Sequence, residues 1–118
     1  MRNPDRLIEL SASMSGPLER FLKWSQIVDR YERGRNSKLG EIMIALQGQE
    51  GVPKAVEGLK LWAYASEEYK QYLEEWDAAE KKKVTAQVEY DTLKNAWESE
   101  RSGVAWERQA IGHGIVSP

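Results

Sequence analysis

Few residues of this chain are of types that do chemistry, and their spacing does not assemble a catalytic centre. The one histidine, His113, lies between Gly112 and Gly114. A metal ligand or general base needs partners that hold it in place, so His113 is expected to be an exposed side chain on a frayed tail. There are no cysteines, which removes thiolate nucleophiles, disulfides and Cys/His metal sets together. The run Arg33-Gly34-Arg35-Asn36-Ser37-Lys38 has charge and a glycine, but it lacks the glycine spacing and the Gly-Lys-Ser/Thr ending of a phosphate loop. Acid pairs catalyse when burial or a neighbour drives their pKa values apart. The carboxylates Glu67, Glu68, Glu74, Glu75, Asp77 and Glu80 instead lie among lysines, with Asp77 and Lys81 at the supportive four-residue spacing. A solvated helix face is expected there. No enzyme activity, no cofactor and no metal site follow from these residues.

Three groups of residues suit binding. Arg30, Arg33, Arg35 and Lys38 bracket Gly34 with Tyr31 alongside; four cations near an aromatic ring suit a single-stranded nucleic-acid backbone with one stacked base. The acidic stretch Glu67, Glu68, Glu74, Glu75 and Asp77 could imitate a phosphate backbone and occupy a DNA-binding groove on a target protein. The third group is aromatic. Five tryptophans and five tyrosines accompany a single phenylalanine, and Trp and Tyr are favoured at interfaces as well as in cores.

The elements that position these groups read as helices. Asn3-Pro4-Asp5 is a cap, a first-turn proline and an acid. Ser15-Gly16-Pro17-Leu18-Glu19 looks like a second start, leading into Leu18, Phe21, Leu22, Trp24, Ile27, Val28 and Tyr31 at three- and four-residue spacing. Gly34 reads as its end. Ser37 can cap a third helix through Leu39, Ile42, Met43 and Leu46 that stops at Gly48-Gln49-Glu50-Gly51. Residues 1–51 are thus expected to form a head of three short helices. Residues 52–111 are expected to form one long arm, and 112–118 a flexible tail. Between Lys54 and Ser102 there is no proline and only Gly58, so the arm could run for roughly 50 residues, about 75 Å.

Period assigns that arm a purpose. Steps of seven from Trp62 give Tyr69, Trp76, Lys83, Tyr90, Trp97, Val104 and Ile111, and a second series runs through Ala65, Tyr72, Ala79, Ala86 and Leu93. A sustained heptad means that another helix covers this face. Three short head helices would not reach along it. Self-association through Trp62, Tyr69, Trp76, Tyr90 and Trp97 is therefore expected, a dimer foremost, supplemented by packing within the chain near Leu59 to Trp76. The order Trp76, Lys83, Tyr90 suits antiparallel pairing. Glu100 and Glu107 weaken the seam toward its end, where Ser102-Gly103 could bend the helix. A cofactor pocket is not suggested, since the stripe lacks convergent polar groups.

The bulk properties agree with an all-α binding protein. A net charge of -2 gives no global attraction to nucleic acid or anionic membranes. With 31% charged residues and a mean hydropathy of -0.67, much of the chain faces water. No apolar run has the length of a signal peptide or a membrane span, so a cytoplasmic protein with no membrane association is expected.

Two stretches carry a family likeness. Ala65-Ser66-Glu67-Glu68-Tyr69-Lys70-Gln71-Tyr72-Leu73-Glu74 is one, and Leu93-Lys94-Asn95-Ala96-Trp97-Glu98-Ser99-Glu100-Arg101-Ser102, running on through Val104-Ala105-Trp106-Glu107-Arg108, is the other. Together they resemble the small coiled-coil proteins encoded in early gene clusters of temperate bacteriophages, near recombination and single-strand annealing genes. Those proteins show a tyrosine-spaced helix leading to an Arg-Ser step and a Glu-Arg pair. The likeness covers the C-terminal half and carries over no functional residue. It implies a phage accessory protein in the bacterial cytoplasm, binding a phage or host protein such as a recombination or replication partner, or inhibiting a host nuclease or defence complex. The alternative is a single-stranded nucleic-acid accessory using residues 30–38.

Overall fold

The computed structural model describes residues 4–112, which form three helices and, among the described residues, no strand: α1 (Pro4–Leu46), α2 (Val56–Ala65) and α3 (Glu67–Gly112). The chain is all-α with a long C-terminal helix, as its periodicity requires. Asn3 and the tail from His113 onward lie outside the described residues.

The N-terminal half departs from the expected head of three short helices: α1 is one helix of 43 residues. Pro17 stands inside it, although an interior proline forfeits a hydrogen bond and costs about 3 kcal/mol. The reason is tertiary. In steps of seven, Leu7, Met14, Phe21 and Val28 and, past the exposed Arg35, Ile42, and likewise Leu10, Pro17, Trp24, Tyr31 and Lys38, are buried or half-buried. Pro17 itself is among the buried ones. Breaking the helix at Ser15 would throw this stripe out of phase, and burying even two leucine-sized side chains is worth more than the lost bond. Gly34 and Ser37 likewise lie within the helix.

The end of α1 falls where its glycines place it. Gly48 and Gly51 both take φ 82°, a left-handed conformation that glycine adopts without strain. The Gln49 N–H donates to the Leu46 carbonyl (3.1 Å) and the Val52 N–H to the Gln49 carbonyl (3.2 Å).

The arm, expected as one helix from 52 to 111, is divided at Ser66. This residue leaves the helical region (φ -70°, ψ 153°) and serves both neighbours. Its hydroxyl donates to the Ala63 carbonyl (2.7 Å) and accepts from the Tyr69 N–H (3.2 Å), the geometry of an N-cap. Glu67 and Glu68 in the first turn of α3 favour a start here through the helix dipole. Beyond it α3 runs through Ser102-Gly103 without a break.

Two compact units divide the described chain. Residues 23–83 bring together the second half of α1, all of α2 and the start of α3. Their core is Leu39 and Ile42 of α1, Ala63 of α2 and Tyr69 of α3, with Met43, Leu46 and Tyr72 packed around it. In this unit α1 and α3 are antiparallel: Lys82 Nζ sits 4.5 Å from the Trp24 ring centroid, the Tyr31 and Tyr72 centroids are 5.1 Å apart, and Arg35 reaches Tyr69. The other unit comprises the chain up to Leu22 and from Val84 onward. Leu10, Pro17, Ala86 and Val104 are its buried residues among those described, and Arg20 pairs with Glu89 at 2.8 Å.

Candidate interaction surfaces

Burial along α3 bears out the heptad. Between Tyr69 and Gln109 every buried or half-buried residue belongs to the series 69, 76, 83, 90, 97, 104 or 72, 79, 86, 93, 100, 107, with Ala96 and Gly103 as the only additions. Tyr69, Ala79, Ala86 and Val104 are the most deeply covered. Trp76, Lys83, Tyr90 and Trp97 are half-buried, and Trp97 carries the Arg101 guanidinium 5.3 Å from its ring centroid. In the unit of residues 23–83 the covering helix is α1 of the same chain, made long enough there by its continuity through Gly34. The seam there therefore needs no second copy to close it. The Ile111 side chain lies outside the described residues.

Trp62 departs from the series. The break at Ser66 resets the helical phase, so α2 turns Leu59 and Ala63 inward and leaves Trp62 47% exposed. Val56 and Leu61 stand 67% and 69% exposed on the same helix, and Tyr64 is at the margin of exposure with its ring edge-on to Tyr69, centroids 5.3 Å apart. Leu61 and Trp62 thus give α2 an exposed apolar and aromatic surface, whereas Val56 lies more than about 100° from either around the helix.

The four cations of residues 30–38 do not form one patch. Arg35 turns toward α3, where its Nε donates to the Tyr69 hydroxyl (2.9 Å), and this bond holds the guanidinium above its ordinary pKa. Arg33 is exposed. Arg30 and Lys38 instead line a groove of about 430 Å³ with Ile27, Tyr31, Gly34, Ser37, Glu41 and Tyr72. A second hollow shares Lys38 and Tyr72 and adds Glu68, Gln71 and Glu75.

The groove floor is built by a tyrosine pair and a glycine. The Tyr72 hydroxyl donates to the Tyr31 carbonyl of α1, a backbone acceptor in mid-helix. It can reach that carbonyl because Gly34 is bare: a Cβ there would stand 3.2 Å from the hydroxyl. The Tyr31 hydroxyl donates to Glu75 (3.3 Å). Burial, then the negative charge of Glu75 and this bond raise the Tyr31 pKa. Burial first, then Tyr31 and Tyr69, raise that of Tyr72.

The acidic residues do not present a continuous strip. Glu67 pairs with Lys70 (3.7 Å) and Asp77 with Lys81 (2.9 Å). Glu75 also accepts from Gln71 (3.3 Å), Glu68 and Glu75 line the second hollow, and Glu74 is exposed. At 100° per residue the five spread over about half of the helix circumference. The lysine run is likewise in structural use: Lys81 pairs with Asp77, Lys82 covers Trp24 and Lys83 occupies the seam.

Among the described residues no cluster of His, Cys, Asp and Glu could hold a metal ion, and no helix is long and apolar enough to cross a membrane. Comparison of the chain with protein-family models, with curated proteins and with solved structures finds no match.

Proposed function

We propose that this chain is a non-enzymatic accessory protein that acts by binding another protein, and that the outward face of α2 makes the contact. The observation that carries this reading is the exposure of the adjacent Leu61 and Trp62 on the side of a ten-residue helix turned away from its buried Leu59 and Ala63. Exposed tryptophan beside exposed aliphatics is the composition of an interface anchor, since one buried Trp supplies a large share of binding energy. The resemblance of the C-terminal half to phage early-cluster proteins makes a phage recombination or replication protein, or a host nuclease or defence complex, the partner class. The bacterial cytoplasm is then its setting.

The test is capture of partners from bacterial lysate by the tagged chain, with and without nuclease, beside a Leu61→Asp/Trp62→Ala variant. Both side chains are exposed, so the variant keeps its helix content and melting temperature. A partner held after nuclease by the wild type and lost by the variant is the expected result. Equal capture by both proteins contradicts it.

Single-stranded nucleic-acid binding is the second reading, and the placement of Arg30 and Lys38 beside Tyr31 and Tyr72 is what favours it. Against it, Glu41, Glu68 and Glu75 line the same hollows and repel phosphate. Binding of this kind would fall steeply with salt and be lost in Arg30→Ala/Lys38→Ala; an oligonucleotide titration at two salt concentrations decides it.

A further inference from the structure

The joined hollows between α1 and α3 in the unit of residues 23–83 have walls of opposite sign. Arg30 and Lys38 stand on the α1 wall, and Glu68 and Glu75 on the α3 wall, with the Tyr31 and Tyr72 rings between them. No residue of α2 lines either hollow. Among the lining residues α3 contributes no cation, and α1 contributes one acid, Glu41, 3.9 Å from Lys38 at the end of the basic row. Seven residues beyond Ser37, in the same helical phase as Arg30 and Ser37, Ile44 is 72% exposed. It extends this face with an apolar side chain.

A surface with one basic and one acidic wall along parallel lines is complementary to itself. When two copies face each other about a twofold axis parallel to the helices, the α1 wall of each lies over the α3 wall of the other. A basic row then meets an acidic row at two places in the dimer, once for each protomer's α1, and the two tyrosine floors meet at the axis. Rotation about the perpendicular in-plane axis would instead set basic on basic and acidic on acidic. The charges therefore select one of the two face-to-face pairings, as complementary rows do in other associating helices.

We infer that this groove is a self-docking surface, and that a second copy of the chain occupies it with α1 of each protomer over α3 of its partner. The surface is distinct from the α2 face and does not depend on what α2 binds. It also differs from the aromatic seam, which α1 closes within the chain in this unit.

The experiment is sedimentation velocity on the full chain with two charge-reversed variants, Arg30→Glu/Lys38→Glu and Glu68→Lys/Glu75→Lys, run separately and mixed. The wild type is expected to dimerise, with a dissociation constant that rises about tenfold or more from low to high salt as the rows are screened. Each variant alone sets like charges face to face and is expected to be monomeric. Their equimolar mixture restores both contacts and is expected to form a heterodimer. A wild type that stays monomeric across the concentration series overturns the inference. So does a variant that self-associates as the wild type does, or a mixture that stays monomeric. Circular dichroism of each variant verifies its fold. Should Glu75→Lys unfold the chain by losing the Tyr31 bond, the single changes Lys38→Glu and Glu68→Lys, at the same level along the two helices, give the same three-way comparison.

Discussion

Gly34 and Tyr72 act as one unit. An interior glycine costs a helix about 1 kcal/mol relative to alanine, yet the missing Cβ is what lets the Tyr72 hydroxyl reach the Tyr31 carbonyl. Tyr72→Phe is expected to lose about 1 kcal/mol with that bond. Gly34→Ala in the wild type should return less than the usual helix gain, because the new methyl group crowds the hydroxyl. In the Tyr72→Phe background the full gain should appear. Urea melts of the four proteins measure this coupling, and additive effects would show the two residues to be independent. The same tyrosines set the response to alkali. Burial holds the Tyr31 and Tyr72 pKa values above their ordinary level in the fold, so above about pH 10 the unfolded chain ionises first. Their contribution is fully present below that pH and is lost as pH rises through the folded values. Denaturant melts across this range, paired with absorbance at 295 nm, should show a loss of stability that Tyr72→Phe reduces.

Ser66 decides where one helix becomes two. Its hydroxyl bonds to the backbone on both sides of the break, so Ser66→Ala is expected to cost about 1 kcal/mol. A thermal melt reads this, and an unchanged melting temperature would mean that the cap is redundant. The sequence does carry the signal, since Ser66-Glu67-Glu68 is a cap followed by two acids. It was masked because Trp62, Tyr69 and Trp76 keep a perfect seven-residue spacing straight across it. From Tyr69 onward the seam was legible residue by residue, because a heptad on a single uninterrupted helix has one phase. Trp62 fell outside it because a helix break resets phase without changing the count of residues. α1 was legible in its apolar stripe but not in its continuity. Pro17 and Gly34 are local breakers, and only burial against other helices overrides them.

That continuity changes what the chain can offer a partner. Three short helices would leave the heptad of α3 open and make a second copy necessary to cover it. One helix of 43 residues supplies the cover itself in the unit of residues 23–83, antiparallel to α3. What stays open there is the α2 face and the groove with walls of opposite charge, and neither was visible in the residue pattern. The α2 face depends on the phase reset at Ser66. The groove depends on Arg30 and Lys38 of α1 coming beside Glu68 and Glu75 of α3, a long-range pairing that no local spacing encodes.

Whether α1 covers α3 within one chain can be measured with spin labels at positions 20 and 89. Arg20 and Glu89 touch at 2.8 Å, and both side chains are about half exposed, so the labels disturb little. Distances from pulsed electron resonance are recorded alone and after dilution with excess unlabelled protein. The expected result is a single short distance that dilution leaves unchanged. A short distance that disappears on dilution would show that the helices pair between chains, and would return the aromatic seam to the role of a self-interface.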